Sequence, residues 1–176
     1  MKRSVLVLLA LIAFFGASFA QADQIYCKIT GLKQGPIAGD VTIKGLEDTI
    51  AVQTVSQGVK SPRDAASGQA TGKRQHKPFT IVKGFDKASP KLFMAAVTNE
   101  NLTSVECSFF HTNRFGQNQK YFKITLQNAQ ISEIDIANNP QHLANIQQTV
   151  SFVFQKIILE DPINGIIAED DWEAST

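Results

Sequence analysis

The chain has 176 residues, with 17 Lys and Arg against 16 Asp and Glu, so it is close to neutral. That balance excludes a protein built around bulk attraction to nucleic acid or to an anionic membrane surface. Two cysteines and three histidines, none in a CxxC, HxH or HExxH spacing, leave no zinc signature.

The first residues read as a secretory signal. Lys2 and Arg3 precede an unbroken apolar run from Val5 to Phe15, and small residues follow at Ala17, Ser18, Ala20 and Ala22. The run is shorter than the ~20 residues of a spanning helix, and no basic stop follows it. Cleavage after Ala20 or, preferably, after Ala22 is expected, giving a leader over residues 1–22 and one domain over residues 23–176. Losing Lys2 and Arg3 leaves 15 basic against 16 acidic side chains. The expected destination is the periplasm or the exterior.

After the leader the periodicity is mostly that of strands. Ile25, Cys27 and Ile29 alternate with polar neighbours, as do Val105, Cys107 and Phe109, and Phe122, Ile124 and Leu126. Further strands are expected over Thr49–Gln57, Pro78–Phe85 and Ile131–Ile136. In "TVSFVFQKII", Val150, Phe152 and Phe154 share one face while Val153 and Ile157 share the other. A strand apolar on both faces is covered on both sides, by a helix, a second sheet or a neighbouring subunit. One helix is expected, with Ser89 as N-cap, Pro90 at the first helical position, a stripe of Leu92, Phe93, Ala96 and Val97, and Asn99 and Asn101 as stops. "HTNRFGQNQ" reads as a hairpin around Gly116. The stretch from Val59 to Lys77 lacks large apolar residues and reads as a long exposed loop. Together these elements indicate a barrel or sandwich with a helix outside.

Catalytic patterns are missing from the sequence. His76, His111 and His142 are scattered, and no nucleophile elbow, phosphate-cradling loop or dinucleotide fingerprint occurs. Asp170 and Asp171 are adjacent and read as a solvated tail. Lys73, Arg74, His76 and Lys77 form a small basic cluster with little aromatic interleaving, better suited to a solvated loop edge or a protein contact than to nucleic acid. Asn101-Leu102-Thr103 is a glycosylation sequon, meaningful only where a secretory system uses it. No metal and no cofactor is expected, and the chain reads as a binding or structural protein rather than an enzyme. Cys27 and Cys107 sit at inward-facing strand positions. In an exported protein they can pair, and two buried free thiols are the alternative.

Several stretches, taken in order, resemble one family. "DQIYCKITGLKQGPI", "GLEDTIAVQTVSQGV", "SGQATGKRQHKPFTIVKGFDKASPKLFMA", "QKYFKITLQNAQISEIDI", "SFVFQKIILED" and "GIIAEDDW" resemble the Hcp proteins, the tube subunits of bacterial type VI secretion systems. The resemblance spans Asp23 to Trp172. It implies a mainly β fold, a β-barrel of two sheets with one α-helix packed beside it. It further implies homohexameric rings that stack into a secreted tube and can carry effectors, with a spike protein and a contractile sheath as partners. On this basis Arg63, Lys73, Arg74, His76 and Lys77 are expected on a ring-stacking loop, and Val153 and Ile157 at a subunit interface. Tube subunits usually start almost directly at the first strand. The leader therefore raises an alternative, an exported relative that keeps the ring but binds its target outside the cytoplasm without sheath or spike.

Overall fold

The structure is a computed structural model and describes residues 24–138 and 146–172. The leader boundary and His142 lie outside the described residues. Among the described residues, eleven strands and one helix follow in the order β1 (Gln24–Gly31), β2 (Gly35–Ile37), β3 (Ile50–Val52), β4 (Thr54–Ser56), β5 (Val59–Lys60), β6 (Gln75–His76), β7 (Phe79–Gly84), α1 (Ser89–Val97), β8 (Leu102–Thr112), β9 (Asn118–Asn138), β10 (Ile146–Asp161) and β11 (Ile166–Asp171).

Nine strands make one antiparallel sheet along the path β2-β1-β8-β9-β10-β7-β4, with β11 on β10 and β3 on β1. Strand β1 does not pair directly with β7. The segment Ile50–Ser56 bridges them: its first half pairs with β1 (Cys27 opposite Ile50) and its second half with β7 (Val55 opposite Ile81). The expected single strand over Thr49–Gln57 is thus broken at Gln53, where the chain changes partners and donates its amide to Val82 O at 2.8 Å. This sheet, with β5 and β6 forming a second, two-stranded one, packs around a core of buried Ile29, Ile50, Phe79, Ile81, Leu92, Val105, Leu126, Val150 and Phe152, in keeping with the expected mainly β fold with one helix. Alternating burial in β1 and β7 matches the half-buried strand pattern.

Two expected strands, around Phe122 and over Ile131–Ile136, are one strand of 21 residues. Asn128 adopts φ 49 in its middle. A residue in the left-handed region offsets the pleat, so Leu126 and Ala129, three apart, are both fully buried. Asn fits there because its short polar side chain tolerates that region, and here its Nδ2 donates to Gln155 Oε1 at 2.8 Å across the ladder. The hairpin around Gly116 is present as expected. Asn113 Oδ1 accepts from the amides of Phe115 (2.9 Å) and Gln117 (3.0 Å), and Gly116 sits at φ 75.

The helix differs in detail from expectation. Ser89 is its first residue and not its cap, because its hydroxyl is taken by the buried Lys83 ammonium (2.8 Å) and the Asp86 amide (3.1 Å). Asp86 Oδ1 instead accepts from the Ala88 amide at 3.0 Å. The helix end matches the expected Asn stop. Asn99 is left-handed, its amide reaches Ala96 O (3.2 Å), and the Glu100 amide reaches Ala95 O (2.9 Å), a Schellman closure. The face against the sheet is narrow, made of Ser89, Leu92 and Ala95. Phe93 and Val97, expected in the stripe, point outward and are half exposed.

Candidate functional site: the arm, its latch and the outer faces

Residues 59–76 form an ordered arm rather than an open loop. Val59 pairs with His76 and Lys60 with Gln75, and farther out Arg63 pairs with Ala70. The tip turns because Asp64 Oδ1 accepts from Ala66 N (3.1 Å), Ser67 N (2.7 Å) and Ser67 Oγ (2.8 Å), while Gly68 takes φ 70. Hydrogen bonds to Ser67 hold the Asp64 carboxyl below its ordinary pKa. Arg63 braces the tip by donating to Gly68 O at 3.2 Å.

The base of the arm is latched to the last strand. Asp170 on β11 accepts from Arg74 Nε at 2.5 Å, pairs with Arg74 Nη2, and accepts from His76 Nε2 at 2.6 Å. Arg74 Nη2 also donates to Asp171 O at 2.8 Å. The His76 ring lies edge-on between Phe154 (5.4 Å) and Trp172 (5.5 Å). The Arg74 side chain above all holds Asp170 down to about 2 from an ordinary 3.8; burial, the next effect in size, pushes it up, and the His76 hydrogen bond again lowers it. This corrects the reading of Asp170 and Asp171 as a solvated tail. They belong to a strand paired with β10, with Asp170 opposite Ile157 and Asp171 opposite Lys156. No local pattern carried this pairing, since Arg74 and His76 lie nearly a hundred residues before Asp170.

Beneath the arm lies a mainly apolar cleft of about 420 Å³, walled by Val59, His76, Ile157, Leu159 and Ala168, with Asp170 at its rim. Of the loop residues singled out in the sequence, Arg74 and His76 are thus taken up by the latch. Arg63, Lys73 and Lys77 remain exposed. Val153 is 45% exposed on the outer face of β10, beside His76, Pro78 and Trp172. Ile157, expected on the same face, is 4% exposed. The pleat offset at Asn128, directly opposite Gln155, separates the two: inward burial runs through Phe154 before it and Ile157 after it.

A third outer feature surrounds the helix. Phe85, Phe93, Met94 and Ile136 are each about half exposed and, with Pro90, line an apolar cleft of about 420 Å³. On the far side of the helix end, Glu100 is 2% exposed and ties down the β1–β2 turn. Its Oε1 accepts from Lys33 N (2.7 Å) and Gln34 N (2.8 Å), and its Oε2 accepts from Gln34 Nε2 (2.8 Å). Burial pushes the Glu100 carboxyl up, but these donors together hold it below its ordinary value. Gly31 is required beside it, because a Cβ there would stand 2.5 Å from Glu100 Oε1.

Cys27 and Cys107 face each other in register across β1 and β8, with Cα atoms 4.1 Å apart, and their sulfurs are joined. Among the described residues no group of three or more His, Cys, Asp or Glu side chains is placed to hold a metal, and no helix is long and apolar enough to cross a membrane. The outer faces offer apolar clefts and an arm, which suit contact with other protein surfaces.

The sequence model of the family described as "Type VI secretion system effector, Hcp" matches residues 26–160. A protein of Pseudomonas aeruginosa called "Major exported protein" is 38% identical over 167 residues, covering 87% of this chain and 97% of that protein. A solved structure described as "Crystal structure of Hcp protein" superposes with a TM-score of 0.79 at 32% identity, covering 86% of this chain and all of the other. The "Secreted protein Hcp3 from Pseudomonas aeruginosa" superposes at 0.72 with 31% identity, covering 87% of this chain and all of that one. With the family matched over residues 26–160 and the fold shared over 86% of the chain, the chain belongs to the Hcp family of type VI secretion system proteins.

Proposed function

We propose that this protein is a ring-forming structural subunit of a type VI secretion tube. Its rings are homohexameric, they stack, and the stacked tube is released with a spike, a contractile sheath and effectors as its partners. The observation that carries this reading is the match over 87% of the chain to an exported and a secreted Hcp protein, together with outer faces suited to protein contact. A cyclic ring needs two different patches per subunit that close under rotation. The half-exposed helix cleft around Phe93 and the β10 face at Val153 supply two such patches at separate places. The latched arm, with Arg63, Lys73 and Lys77 outward, suits contact with a neighbouring ring.

A second reading has two specific observations behind it. The leader-like residues 1–22 and the Cys27–Cys107 bond both fit a protein matured outside the cytoplasm, where a ring would meet its target without sheath or spike. Release from the producing bacterium separates the two. The tube reading expects the protein in the medium only while the contractile sheath gene is intact. Equal release after sheath deletion contradicts it and favours the exported binding protein.

A further inference from the structure

We propose that this chain is the substrate of an extracytoplasmic thiol oxidase, and that the Cys27–Cys107 bond forms during folding, before the sheet wraps over it. The inference rests on the second reading above, export through the leader, and not on the tube reading or on ring formation. Both cysteines have no exposed surface. Cys27 is flanked by Ile50 on β3 and Cys107 by Ile124 on β9, so each sulfur lies between its own pair of neighbouring strands. Thiol–disulfide exchange needs a third sulfur to reach one of the two. In the folded subunit no such approach exists, for an oxidant or for a reductant. The bond therefore forms while β1 and β8 are still accessible, and folding then seals it. Because the cysteines are 80 residues apart, the oxidant must act after β8 has reached the compartment.

The cysteine count narrows the partner. The whole chain holds two cysteines, so a single intramolecular pairing is possible. Mispairing within one chain cannot occur, and the required partner is an oxidant rather than an isomerase. Either cysteine, as thiolate, attacks the enzyme's disulfide, releasing one enzyme thiolate and leaving a mixed disulfide. The other cysteine then attacks the chain's own sulfur in that mixed disulfide, and the second enzyme thiolate leaves. The chain gives up two protons and two electrons, and the enzyme ends as a dithiol. A cytoplasm kept reducing would not support this step, whereas the space reached through a cleaved leader does.

The full chain is expressed in two isogenic bacterial strains, one with and one without a periplasmic thiol oxidase. Thiols are alkylated under denaturing conditions and the intact protein is weighed. The proposal expects the leader to be absent and no alkyl adduct with the oxidase, and two adducts on most chains without it. In a second measurement, protein refolded under reductant is exposed to oxidised glutathione. Its native form should oxidise at least about 100-fold more slowly than its urea-unfolded form, because opening must precede attack. Two adducts in the oxidase-containing strain, equal oxidation in both strains, or equally fast oxidation of native and unfolded protein would each overturn the proposal. Ring size is read separately by sedimentation, so a failed ring and a failed oxidation give different results.

Discussion

The latch at Asp170 makes a sharp expectation for Asp170→Asn. The change keeps the shape of the side chain and removes the charge that Arg74 and His76 hold. The Asp170 carboxyl lies at about 2 against 3.8 when free. Converted directly at 1.36 kcal/mol per unit, the shift gives about 2.5 kcal/mol as an upper bound. The side chain is 31% exposed, so solvent screening brings the expected loss to about 1–2 kcal/mol. The arm has little apolar surface to contribute elsewhere, so the loss falls on local opening of residues 59–76 and leaves global unfolding nearly unchanged. Amide exchange at Lys77, whose N–H donates to Gly58 O at 2.8 Å, and at Trp172, which donates to Gln155 O at 3.0 Å, reads this directly. The variant should exchange about 5–30-fold faster at these amides than the parent at neutral pH, while β8 amides stay unchanged. The sign with pH follows from the depressed carboxyl. The latch contribution is fully present above the free value of 3.8 and is lost as pH falls toward about 2. Unchanged exchange at both amides would refute the latch.

Replacing both cysteines by alanine should lower stability by about 2–4 kcal/mol in urea melts, since the bond closes a long loop, and reduction of the unfolded parent should reproduce the loss. Glu100→Gln should cost about 1–3 kcal/mol, because three donors lose a charged acceptor in a buried site, and the variant's acid stability should lose the part that Glu100 contributes above its depressed pKa. Lys83→Ala, which leaves Asp86 beside a buried vacancy, should destabilise by about 3–5 kcal/mol by thermal or urea unfolding. Val153→Asp should leave the subunit folded, with a urea midpoint close to the parent's, and weaken assembly in sedimentation; a collapsed midpoint would place Val153 in the core instead.

Much of this was readable from residue patterns, with limits that have physical causes. Alternation exposed β1 and β7, where every second residue of the core face is buried, whereas in β8 a register shift between Phe109 and Phe110 interrupts the alternation and leaves Phe110 buried and Phe109 only partly so. It misread Val153 and Ile157 as one outer face, because Asn128, on a different strand, offsets the pleat opposite them. No window centred on β10 contains that residue. The helix was found from Pro90 and Asn99, yet its inner face was misplaced, because small Ser89 and Ala95 set the approach to the sheet while Phe93 stays outside. Its cap was misassigned because Lys83, on another element, takes the Ser89 hydroxyl. The arm was located by its composition. Its order was not visible, because the partner holding it lies nearly a hundred residues on, in Asp170. The facing of Cys27 and Cys107 depended on strand order, which no local pattern carries.

The central claim is that this Hcp protein works as a ring. Native mass spectrometry of the protein recovered from the medium, with its N-terminus and disulfide left intact, tests it most directly. The account predicts a dominant species of six identical subunits at micromolar concentration, losing subunits when Val153→Asp is introduced. A single-subunit mass across that concentration range would contradict it.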